Sequence, residues 1–78
     1  MAKKIILYCD PDTYFSDLTA KWLKDHNFEF QVKNVREESI QSELFKVSEQ
    51  YAVPVVMVGR KVIIGFNEVE LSGALLEK

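Results

Sequence analysis

Cysteine is almost absent from this sequence. Cys9 is the only one, so no disulfide can form within the chain, and a reduced, cytoplasmic setting is expected. The single histidine, His26, has no second ligand at a metal-binding spacing, and no metal site is expected. Net charge is also scarce. At −2, with scattered lysines, the chain lacks the basic footprint of nucleic-acid binding. No apolar run approaches the ~20 residues that cross a bilayer, so no membrane span is expected. The stretch Met1 to Leu7 is broken at Cys9-Asp10-Pro11-Asp12 and lacks a small-residue cleavage site, which argues against a signal peptide. With three glycines and two prolines there is no linker or low-complexity segment, and residues 1–78 read as one domain. What the chain has in quantity is apolar residues, at 47%, enough to bury a core without staples.

Those apolar residues fall into readable patterns. From Lys3 to Cys9 the run Ile5-Ile6-Leu7-Tyr8 suits a central strand covered on both faces. Asp10-Pro11-Asp12-Thr13 then breaks the chain, and Asp12 or Thr13 can cap a helix. Phe15, Leu18, Trp22 and Leu23, with Thr19, mark its apolar face; it ends near His26, with Asn27 as terminator. Phe28, Phe30 and Val32 alternate with polar residues as a half-buried strand. Ser39 is a candidate cap for a second helix, whose apolar face is Ile40, Leu44, Val47 and Tyr51.

Tyr51 to Asn67 is the most structured text. Two β-branched runs flank Gly59-Arg60-Lys61, which predicts a β-hairpin, and Pro54, lacking an N–H, should open the first strand. Asn67 and Glu70 have capping-box spacing ahead of a last helix with Leu71, Ala74 and Leu75, weakened by Gly73. The order β-α-β-α-β-β-α predicts a mixed four-stranded sheet with three helices, the first two strands parallel and the hairpin antiparallel.

In this order the chain resembles the glutaredoxin family of the thioredoxin-like superfamily over essentially its whole length. Ile5-Ile6-Leu7-Tyr8 and Phe28-Glu29-Phe30-Gln31-Val32 resemble its first two strands. Ala52-Val53-Pro54 is similar to the family's Thr-Val-Pro, whose proline is cis. Ile64-Gly65-Phe66-Asn67 resembles Gly-Gly-Phe-Asp before the last helix. The resemblance implies an α/β thioredoxin-like fold and a thiol-disulfide electron carrier, of the kind that supplies reductases such as ribonucleotide reductase.

The family's Cys-x-x-Cys is missing. Ungapped alignment on Leu7-Tyr8 and Pro11 puts Thr13 and Ser16 at the positions of the cysteine pair, with Tyr14 and Phe15 between them. A thiol at a helix N-terminus is activated as thiolate and attacks a disulfide, and its partner resolves the mixed species. An alcohol does neither. Two functions therefore stand side by side. One is a glutaredoxin-like protein without dithiol activity, retaining a peptide- or glutathione-binding edge at the expected cis-proline. The other is an active monothiol oxidoreductase using Cys9 in cell redox homeostasis. Against the monothiol role, Cys9 reads as a small buried hydrophobe at a strand end, and Asp10 and Asp12 would raise its pKa. The resemblance implies a binding set of Tyr14, Val53, Pro54, Gly65, Phe66 and Asn67. Arg36 and Lys33 are candidates to hold a carboxylate. Expected partners are a protein or peptide with an extended segment, or glutathione as co-substrate; no tightly bound cofactor is expected, and oligomeric state stays open.

Overall fold

The computed structural model describes residues 4–76. The elements are β1 (Ile5–Cys9), α1 (Tyr14–Asp25), β2 (Gln31–Asn34), α2 (Glu38–Ser48), β3 (Val55–Val58), β4 (Lys61–Ile64) and α3 (Glu68–Leu75). The sheet order is β2-β1-β3-β4. β1 runs parallel to β2 and antiparallel to β3, and β3 pairs antiparallel with β4. This is the mixed, thioredoxin-like arrangement that the pattern predicts. The expected first residue of β1, Lys3, lies outside the described residues.

The uninterrupted apolar text of β1 follows from its central place. Ile5, Leu7 and Cys9 face a core built with Trp22 and Leu23 of α1 and with Leu71 and Ala74 of α3. Tyr8, with Ile6 packed alongside, faces a second core with Leu44, Ile40 and Val47 of α2. Side chains alternate across a strand, so covering both faces requires an apolar residue at every position. Fully burying each such side chain stabilises by roughly 1.5–3 kcal/mol. Among the described residues, no helix is long and apolar enough to cross a membrane.

The structure corrects the reading at the element ends. Phe15 is 57% exposed, and Ser16 takes the buried place in the first turn of α1. β2 starts at Gln31, since Phe28 and Phe30 pack against the α1 side of the core as an extended lead-in before pairing begins. Val32 is 54% exposed on this edge strand. Glu37, not Ser39, precedes α2, and no side chain caps it. That helix ends where Glu49 takes φ +58°, so Tyr51 leaves the apolar stripe and stacks on Phe45 at 4.9 Å. Asn67 does cap α3, accepting from the Glu70 amide at 3.1 Å, but the Glu70 carboxylate pairs with Lys61 at 2.9 Å. The hairpin turn is two residues long, Gly59-Arg60, with Gly59 at φ +59°.

One polar group is anchored inside the α2 face. The buried Tyr8 hydroxyl donates to Glu43, whose carboxylate also receives Lys33 Nζ at 2.6 Å. Burial first, then the Glu43 bond and charge, raises the Tyr8 pKa above its ordinary value. The unfolded chain therefore loses this proton before the folded one does. Stability from this group is complete below about pH 10 and declines above it. Urea denaturation across pH 7 to 11 should show that decline, and Tyr8→Phe should flatten it. The same substitution should cost about 1–2 kcal/mol at neutral pH, from the lost bond to a charged group. An unchanged alkaline limb in Tyr8→Phe would show that another group controls it.

Candidate functional site

Every site residue expected from the sequence lies at one end of the sheet. β1 and β2 run toward this end, and β3 and α3 start from it. The β1–α1 connection, the Val53–Pro54 step and the Gly65-Phe66-Asn67 turn therefore converge. The register makes the geometry definite. Gly59 N–H donates to the Lys4 carbonyl at 2.9 Å, so the hydrogen-bonded pairs of β1 with β3 fall at Ile6–Met57 and Tyr8–Val55. The next such pair would be Asp10 with Val53. It does not form.

Asp10 turns instead toward α1. Its carbonyl accepts from Thr13 N–H at 3.0 Å and from Thr13 Oγ1 at 2.9 Å, and its N–H donates to Ser16 Oγ at 3.3 Å. The Thr13 and Ser16 oxygens are 2.6 Å apart. Each hydroxyl has one proton to give. All contacts are satisfied if Ser16 donates to Thr13, Thr13 donates to the Asp10 carbonyl, and the Asp10 amide closes the ring on Ser16. The two hydroxyls thus meet across one helical turn and hold the loop closed. Ser16 is only 2% exposed. An oxygen pair held this way clasps the loop to the first turn of α1.

The consequence lies across the gap. With Asp10 occupied, neither the N–H nor the C=O of Val53 has a hydrogen-bond partner among the described residues. The Val53–Pro54 peptide bond is cis, and the Pro54 carbonyl accepts from Gly65 N–H at 2.7 Å. Gly65 adopts φ +81°, a conformation that disfavours other residues, although a Cβ there would meet nothing within 4 Å. Backbone conformation, rather than space, calls for glycine. Phe66 is half-buried and packs on the α1–α3 core, while Asn67 is used as the α3 cap. Tyr14 projects, 70% exposed, and meets Phe15 edge-on at 5.4 Å.

Cys9 lies behind this surface. It is 8% exposed within the α1–α3 core. Burial, then the charges of Asp10 and Asp17, raises its pKa, so the reactive thiolate is disfavoured. The two candidate cations are already engaged: Lys33 with Glu43, and Arg36 with Asp10 at 3.1 Å and with Asp12. Arg36 staples the β2–α2 connection to the β1–α1 loop. Sequence reasoning missed this role and that of Gln50, whose side chain brackets both backbone groups of Ala52. A polar residue two positions before Ala52 gave the only hint of that bracket. Among the described residues, no group of three or more histidine, cysteine or acidic side chains is placed to hold a metal ion.

Removing the clasp should loosen this end. Ser16→Ala leaves the Asp10 amide and the Thr13 oxygen short of a partner in a buried place, a loss of about 1–3 kcal/mol by urea denaturation. Tyr14→Ala, on an exposed ring, should stay within about 0.5 kcal/mol. Equal effects of the two would show that the hydroxyl ring contributes nothing to stability.

Comparison with known proteins agrees with this architecture. The family model described as Glutaredoxin matches residues 5–63. The chain is similar to a glutaredoxin-like 8.6 kDa protein in the rubredoxin operon of Clostridium pasteurianum, with 32% identity over 75 residues that cover 95% of this chain and 99% of the relative. Among solved structures it is similar to the glutaredoxin grx-1 from Archaeoglobus fulgidus, at TM-score 0.87 and 24% identity over 97% of this chain and 88% of that one. It is also similar to a buckwheat glutaredoxin-glutathione complex, at TM-score 0.75 and 20% identity over 95% of this chain and 74% of that one. The chain belongs to the glutaredoxin family.

Proposed function

We propose that this chain is a binding module on the glutaredoxin scaffold, without dithiol activity, that takes an extended peptide or glutathione along the Val53–Pro54 edge. The observation that carries the reading is the pairing of a closed Thr13–Ser16 clasp with an open Val53 backbone. Dithiol exchange needs a thiolate to attack sulfur and a second thiol to release the mixed disulfide. Thr13 and Ser16 supply neither, since an alcohol stays protonated at neutral pH and oxygen forms no stable disulfide. Binding requires less. An extended segment gains main-chain hydrogen bonds from a free N–H and C=O, the mode by which strands are added at sheet edges. Tyr14 and Phe66 lie at the same end of the sheet, and the buckwheat neighbour, a glutathione complex, supports glutathione as one ligand class. A cytoplasmic, reduced setting keeps Cys9 as a thiol, in which form it serves as core.

The monothiol alternative through Cys9 requires a buried thiol to reach an external disulfide and to ionise beside Asp10 and Asp17. The assay that separates the two readings is glutathione-dependent reduction of a small mixed disulfide. The wild-type chain should run no faster than glutathione alone, while the double variant Thr13→Cys/Ser16→Cys should gain turnover, because the two positions already meet across one turn. Wild-type turnover that disappears in Cys9→Ser would overturn the binding-module reading. Alkylation of Cys9 should be slow at pH 7 and should rise with pH without a plateau below about pH 8.5, the ordinary thiol value.

A further inference from the structure

The end of the sheet that carries Val53 is apolar at its centre and acidic around it. Tyr14, Phe15 and Tyr51 are each more than half exposed. The first two support each other edge-on, and Tyr51 leans on Phe45, so the rings are steadied at the surface rather than drawn into the core. Around them, Asp10 and Asp12 occupy the β1–α1 connection, Asp17 the first turn of α1, and Glu68 the first turn of α3. Lys33 and Arg36, at the end of β2 and just beyond it, are both already ion-paired. Lys4 and Arg60 lie at the opposite end of the sheet, beside the start of β1 and in the hairpin turn.

Helix N-termini add a partial positive charge of about half a unit each. Here α1 and α3 both begin at the site, yet each carries a full carboxylate in its first turn, Asp17 and Glu68, which outweighs it. Counting Asp10, Asp12, Asp17 and Glu68 against Arg36, with Lys33 balanced by Glu43, the charge at this end of the sheet is net negative, and so is the field that an incoming ligand meets. Glutathione, with two carboxylates and one ammonium, is an anion at neutral pH and enters against this field. An extended segment with basic side chains enters with it. Its main chain meets the Val53 N–H and C=O, its apolar residues lie on the rings, and its cations reach the carboxylates or the faces of Tyr14 and Tyr51.

We propose that the Val53 edge selects an extended, lysine- or arginine-bearing segment of a partner protein in preference to the anionic tripeptide glutathione. This rests on the reading of Val53 as a binding edge and specifies the partner's charge. Long-range complementarity of this kind sets which partner is accepted more than how tightly any partner binds.

The test is a titration of the isotope-labelled full chain, followed by amide chemical shifts at low ionic strength. Four ligands are compared: three short peptides of identical apolar sequence carrying lysine, glutamine or glutamate at the alternate positions, and glutathione. The lysine peptide should shift the Val53 and Tyr14 amides and bind about tenfold tighter than the glutamine peptide, the sum of a few exposed charge contacts. The glutamate peptide and glutathione should bind more weakly than both, and salt should erase the differences. Asp17→Asn/Glu68→Gln should reduce the lysine-over-glutamine preference about threefold. Equal binding of the lysine and glutamate peptides at Val53 would overturn the charge preference and leave the edge intact. Tighter binding of glutathione than of the lysine peptide would overturn it as well. If no ligand shifts Val53, the edge itself is wrong, and the preference falls with it.

Discussion

Both backbone groups of Asp10 are taken up by the start of α1, and this small set of hydrogen bonds shapes one whole end of the sheet. The antiparallel ladder between β1 and β3 has the register to continue by one more pair. Because Asp10 is claimed by Thr13 and Ser16, the ladder stops and Val53 keeps its donor and acceptor. A buried or half-buried backbone group without a partner is costly, and proteins leave few of them. Val53 is only half-buried, so its open donor and acceptor remain within reach of solvent.

The Thr13–Ser16 contact stands at the start of the first helix, at the end of the sheet where the other site residues converge. Two side chains three residues apart at a helix start face each other. In a thiol pair that proximity resolves a mixed disulfide. Here the same proximity forms a hydrogen bond that closes a loop. Cys9, the remaining sulfur, lies on the core side of β1, where burial and two nearby carboxylates keep it protonated.

Charge follows the same division of the molecule. Arg36 is drawn into the β1–α1 loop by Asp10 and Asp12 and helps to hold that loop against the end of β2. It is mostly exposed, so the pairing contributes modestly to stability. The same pairing occupies the Arg36 guanidinium with Asp10 and Asp12.

Sequence alone determined the element order, the pairing of the hairpin and the two-faced burial of β1, because those depend on local periodicity and on the ban on unpaired backbone in the core. It also places Thr13 and Ser16 at the start of the first helix, read in register with Pro11. Tertiary structure decided the rest. Phe15 and Val32 carry the right period for burial and yet lie exposed, since periodicity names a face but not where the facing surface ends. Tyr51 left its stripe at the left-handed Glu49, a conformation that side-chain pattern does not reveal. The commitment of Arg36, the bracket around Ala52 and the open backbone of Val53 join residues far apart in the chain or depend on which hydrogen bonds are already taken. Such competition for partners is settled only when every segment is in place.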